Sequence, residues 1–137
     1  MSKPAPRDFR PKFHFTAPSM WLNDPNGLTL ENGVYHLYYQ HYPYDTVWGP
    51  MHWGHAVSSD LYHWEHRPIA LYPNELGMVF SGSAVVDENN VSGLGQDSKA
   101  PLMAFFTSHG EKEQQSLAYS LDGGNTFIWF SGNPIIE

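Results

Sequence analysis

The chain repeats itself, and this repeat restricts its possible folds more than any other feature. "AVSSDLYHWEHRPIAL" begins at Ala56 and "AYSLDGGNTFIWFSGNPII" at Ala118, 62 residues apart. Both copies read Ala-x-Ser-x-Asp, then a turn, an aromatic residue and a Pro-Ile pair. "VYHLYYQ" lies upstream of the first copy and "PLMAFFTS" upstream of the second; ahead of those stand "NGLTLENG" and "SGSAVVDEN". Each unit is four short strands. Turn signals separate them, among them Asn32-Gly33, Asp122-Gly123 and Gly132-Asn133, and no helix-period segment exceeds about two turns. The chain is all-β. A four-stranded unit in tandem is the mark of a β-propeller blade; a parallel β-helix would repeat at a much shorter period, and a β-sandwich would not repeat this way. The blades are expected at about 22–72 and 78–136, after a Pro- and charge-rich N-terminal arm over residues 1–12. Propellers close with about four to eight blades. Two leave wide apolar faces unpartnered, so residues 13–137 read as the opening part of a larger propeller domain.

Composition narrows the partners. Seven Lys and Arg stand against fourteen Asp and Glu, a formal charge of −7 with no basic stripe. Nucleic acid and anionic membrane surfaces are poor fits, and a neutral or cationic small molecule is a better one. With no Cys there is neither a disulfide nor a sulfur-based metal site. No run approaches the ~20 apolar residues of a membrane helix. "MSKPAPRDFRPKF" has no apolar core of a signal peptide, so a cytoplasmic location is expected. The histidine pairs His52/His55 and His63/His66 are spaced by three, which on a strand puts the members on opposite faces. They are expected to pack or hydrogen-bond instead of converging on an ion, with His55 bracing the third strand. The turns at Ser58–Asp60 and Ser120–Asp122 read as blade-holding hydrogen bonds, with Trp64 and Trp129 as core.

"WLNDPNG", Trp21 to Gly27, is where chemistry is concentrated. By local rules it is a turn: Asn and Asp cap turns, Pro25 fixes φ and Gly27 takes a positive φ. It also opens the first strand of the first blade, and innermost propeller strands line the central channel. Trp21 adds an apolar platform of the kind on which sugars stack.

"HFTAPSMWLNDPNG", "YHLYYQHYP", "VWGPMHWGHAVSSDLYHWEHRPIALYP" and "FSGSAVVDENNVSG" together resemble glycoside hydrolase family 32, the invertase, inulinase and levanase group. The likeness runs from about Phe13 to Ile136 with the motifs in order. It implies the first two four-stranded blades of a five-bladed β-propeller, truncated, without the later blades and the C-terminal β-sandwich. It implies a retaining glycosidase that releases fructose from sucrose or short β-fructosides, without a cofactor. Asp24 falls on the family's catalytic nucleophile, with Asn23 and the backbone amides after Asp24 as donors that keep it ionised. Gln40 falls on a residue that hydrogen-bonds sugar hydroxyls. Trp21 and Trp48 supply apolar surface, Phe80 a further wall and Ser81 a hydroxyl contact. The family's acid/base Glu sits in a Glu-Cys motif, and its transition-state Asp in Arg-Asp-Pro. Neither motif occurs here: there is no Cys, and the only Arg-Asp, Arg7-Asp8, is followed by Phe. The isolated chain is therefore expected to be inactive. The alternative is a non-catalytic fructoside-binding or assembly module that completes its propeller with another chain.

Overall fold

The computed structural model describes residues 9–137; residues 1–8 of the expected N-terminal arm lie outside the described residues. The strands are β1 Trp21–Glu31, β2 Val34–Tyr42, β3 His52–Ser58, β4 Glu65–Leu71, β5 Met78–Val86, β6 Leu102–His109, β7 Glu113–Ser120 and β8 Ile128–Trp129. They pair in chain order into two four-stranded antiparallel sheets, β1-β2-β3-β4 and β5-β6-β7-β8. These are two successive propeller blades, with β1 of the first against β5 of the second.

Two elements depart from the local sequence signals. "WLNDPNG" does not reverse the chain. It forms the first part of β1, which absorbs its turn-forming residues in two register shifts, between Leu22 and Pro25 and between Asn26 and Thr29. Pro25 has no N–H to give to a ladder and Gly27 has φ +52, so an irregular strand accommodates both. At the other end, β8 has only two residues. Beyond it the ladder passes to the Asn133 side chain, which accepts from Leu117 N and donates to Leu117 O, both at 2.8 Å. Asn32 and Gly33, with φ 49 and 80, make the two-residue β1–β2 hairpin that requires two positive φ values.

Side chains along β2 alternate with a period of two. Tyr38 turns toward the second blade, joining Trp53, Ala70 and Leu71 against Val79, Leu102, Ala104, Phe106 and Ala118 in one core between the sheets. Leu37 and Tyr39 turn the other way, onto Ala17, Ala56, Phe15 and Trp64. Trp64 and Trp129 are half-buried edges of these cores. The repeated Ser/Asp turns do hold the blades: Asp60 Oδ1 accepts from Tyr62 N and His63 N at 2.9 and 2.7 Å, and Asp122 Oδ1 from Asn125 N and Thr126 N at 3.1 and 2.9 Å.

His55 is fully buried and stacks on Tyr38 at 4.4 Å, while its Nε2 meets His36 Nδ1 at 3.0 Å. Its Nδ1 has no partner. A bare lone pair there costs less than a stranded N–H, so Nε2–H donates to His36. Tyr38 completes the group by donating its hydroxyl to Gly124 O at 2.7 Å, a bond from the first blade to the β7–β8 turn of the second. Burial, reinforced by His36 and Arg67, pushes the His55 pKa down to about 3. The unfolded chain takes up this proton first as pH falls. Stability from this site is therefore complete above the unfolded value of about 6.5 and is lost as pH drops toward the folded value. In His55→Gln, the loss of stability between pH 7 and pH 4 should shrink, measured by urea denaturation at both values. Gly27 sits where an added Cβ would lie 2.8 Å from Tyr38 Cδ2 and 3.1 Å from Trp53 Cζ3. Gly27→Ala should cost about 2–4 kcal/mol in the same assay, from left-handed backbone plus overpacking.

Candidate active site

The site forms where β1 meets β5. Asp24 lies exposed in the irregular part of β1, and Ser81 of β5 donates its hydroxyl to Asp24 Oδ2 at 2.6 Å. The bond spans 57 residues of sequence and joins the two blades. Asp24 Oδ1 has no protein donor among the described residues, so one carboxylate oxygen is fixed and the other is left open.

Ser81 is placed by an irregularity of its own. β5 shifts register against β6 between Val79 and Gly82, which takes the Val79 and Phe80 carbonyls out of the regular ladder. Two buried side chains of the first blade supply the missing donors: Gln40 Nε2 reaches Val79 O at 2.9 Å and Trp53 Nε1 reaches Phe80 O at 3.0 Å. Gln40 thus lies inside the seam, 2% exposed, beneath the surface that carries Asp24. Asn26, the second Asn of the motif, is equally buried. With its amide oriented to satisfy its neighbours, its oxygen accepts from Gln40 Nε2 at 3.0 Å and its nitrogen donates to Pro25 O at 3.1 Å. Asn26 was not among the residues singled out from sequence, although its place in "NDPNG" was the available signal.

Asn23 is not a donor to Asp24. Its side-chain oxygen accepts the Trp21 indole N–H at 2.7 Å, and the hydroxyl of Ser81 takes the role expected of Asn23 and the following amides. Trp21 is itself clamped, its backbone N–H donating to Asp45 O at 3.0 Å and its carbonyl bonded by His41 Nδ1 at 2.7 Å. Trp48 is 52% exposed and meets Phe80 edge-on, 6.4 Å between ring centres. Phe80 in turn stacks on His109 at 4.3 Å, nearly parallel. An exposed carboxylate thus lies beside a serine hydroxyl and a row of aromatic faces, a combination suited to a polyhydroxylated ring with an apolar face.

The four histidines of the paired motifs go to four separate places. His52 Nδ1 bonds Pro50 O at 2.8 Å, His55 joins His36, His63 Nδ1 pairs with Asp60 at 2.7 Å, and His66 packs on Phe15. Among the described residues no group of three or more His, Cys, Asp or Glu could hold a metal ion.

The profile of the glycosyl hydrolases family 32 N-terminal domain matches residues 14–137. The chain is 56% identical to the levanase of Bacillus subtilis (strain 168) over 94% of its length, which is 19% of that protein. It is 49% identical to the invertase of Schizosaccharomyces pombe over 93% of its length, 24% of the relative. Among solved structures, exo-inulinase from Aspergillus awamori superimposes with a TM-score of 0.88 at 43% identity, covering 95% of this chain and 29% of that one. A β-fructofuranosidase from Schwanniomyces occidentalis, solved with fructosyl-erythritol, gives 0.89 at 43% identity over 93% of this chain and 27% of that one. The chain therefore spans less than a third of each of these relatives. Fold, motifs and site agree on one assignment: the chain belongs to glycosyl hydrolase family 32, matching the family's N-terminal domain over residues 14–137.

Proposed function

We propose that the protein is a retaining β-fructofuranosidase-type glycosidase acting on sucrose or short β-fructosides, with Asp24 as nucleophile. The observation that carries this reading is the Ser81–Asp24 bond at 2.6 Å, because it ties one oxygen of an otherwise exposed carboxylate and leaves the other free to attack. In this mechanism Asp24 Oδ1 bonds to the anomeric carbon of the fructosyl unit as the glycosidic C–O bond breaks. The leaving oxygen takes a proton from a general acid. The deprotonated acid then takes a proton from water, whose oxygen attacks the same carbon and breaks its bond to Asp24, freeing fructose with net retention. Trp21, Trp48 and Phe80 present apolar faces to the sugar, and the Ser81 hydroxyl holds the carboxylate at the angle of attack. Asn23 steadies the Trp21 indole, and Gln40 fixes β5 from beneath.

A retaining pair needs a second carboxyl about 5–5.5 Å from the first. The Glu-Cys motif that carries it in the resemblance has no counterpart in a sequence without cysteine. In this proposal the acid comes from outside these two blades, so residues 1–137 alone are expected to release no fructose. A purely fructoside-binding module would use the same aromatic faces without needing a carboxylate with one free oxygen.

In the complete protein, Asp24→Ala should lower fructose release from sucrose by at least about 10⁴-fold with an unchanged circular dichroism spectrum. Turnover close to wild type would rule out Asp24 as nucleophile. Ser81→Ala should lower kcat by about 10–100-fold, the worth of one charge-assisted hydrogen bond, and leave KM within about twofold if the bond acts mainly in the transition state.

A further inference from the structure

The aromatic row does not end at Phe80. His109, at the last position of β6, lies nearly parallel to the Phe80 ring, 5° between planes. Its Nδ1 is 3.0 Å from Glu113 Oε1 on β7. An ionised carboxylate only accepts, so in the neutral ring Nδ1 carries the hydrogen and Nε2 the lone pair. Nε2 makes no hydrogen bond to protein among the described residues, and the side chain is 35% exposed. The backbone beneath is closely held: a Cβ on Gly77 would strike the His109 carbonyl, and His109 pairs with Met78. His109 is thus an oriented acceptor on a fixed strand, at the edge of the sugar-facing wall.

Its position says which part of a substrate it meets. Asp24 and Ser81 lie on β1 and β5, the adjoining first strands of the two blades. Phe80 shares β5 with Ser81, and His109 lies one strand farther along, on β6. The order Asp24, Ser81, Phe80, His109, Glu113 steps away from the attacking carboxylate. A group bonded at His109 Nε2 therefore belongs to a part of the substrate other than the carbon under attack.

We propose that His109 is a specificity-determining residue whose Nε2 accepts a hydroxyl of the sugar attached to the transferred fructosyl unit, with Glu113 as the residue that positions it. The inference rests on the fructosidase reading above. Stacking alone would be served as well by any flat ring, and would not require a carboxylate on Nδ1.

The test compares two substrates with the same fructosyl group in the complete protein: sucrose, whose leaving unit is a polyhydroxylated sugar, and methyl β-D-fructofuranoside, whose leaving unit is methanol. His109→Phe keeps a ring against Phe80 and removes the acceptor. The ratio of kcat/KM for sucrose to that for the methyl fructoside should fall about tenfold in this variant, equivalent to one hydrogen bond. Glu113→Gln, whose amide can equally donate toward Nδ1 and so release the tautomer, should lower the same ratio about threefold. This variant lies at an exposed position and keeps the test valid if His109→Phe folds poorly. An unchanged ratio in both variants, with each substrate affected equally or not at all, overturns the inference while leaving the fructosidase reading intact. Failure of the wild-type protein to release fructose from either substrate overturns both.

Discussion

Two side-chain donors, Gln40 Nε2 and Trp53 Nε1, hold the irregular part of β5 on which Phe80 and Ser81 stand. They reach out of the first blade to the Val79 and Phe80 carbonyls of the second at 2.9 and 3.0 Å. Without them, the irregular turn of β5 would leave buried carbonyls unpaired, at about 1–3 kcal/mol each. Satisfied in this way, the irregularity is stable, and it sets Phe80 and Ser81 where they are. Ser81 then reaches Asp24, and Phe80 lies between Trp48 and His109. These bonds between the blades also shape the candidate active site.

The seam between the blades differs along its length. At one end the aromatic row stands open beside an exposed carboxylate. Elsewhere His36, His55 and Tyr38 are stacked and enclosed, and burial raises the Tyr38 pKa and lowers those of both histidines. All three groups are thereby held neutral and used for shape and direction. Tyr38 contributes its hydroxyl to Gly124 and its ring to the core, and the two histidines share one hydrogen bond. A neutral stacked interior rigidifies the pair of blades without a buried charge needing compensation.

Much of this was legible in the sequence. The 62-residue repeat contained the two-blade order, because a blade is a local meander whose hairpins and Ser/Asp turns are specified by neighbouring residues. Asp24, Trp48, Phe80 and Ser81 stood out through motif resemblance, and the structure brings Asp24 to Ser81 and Trp48 to Phe80. What was not legible involves pairing between residues far apart. The donor to Asp24 is Ser81 and not the adjacent Asn23. Asn26 and Gln40 are interior struts, and His109, ordinary in its local context, is stacked on a residue 29 positions earlier. "WLNDPNG" has the local preferences of a turn, yet it opens the first strand as expected, because pairing with β2 overrides those preferences.

The sequence by itself determined the elements: eight strands in two equivalent units, their hairpins, and the carboxylate, hydroxyl and aromatic side chains of the candidate site. These follow from interactions within a few residues or between neighbouring strands, whose patterns are written in periodicity and turn chemistry. Only the tertiary structure decided which carboxylate oxygen is tied, which polar side chains are buried as supports, and which aromatic rings line up. Those outcomes depend on how two twisted sheets pack and on where irregular strands leave carbonyls to be met. Such a requirement is satisfied by whichever donor lies across the seam, and sequence distance carries no trace of it.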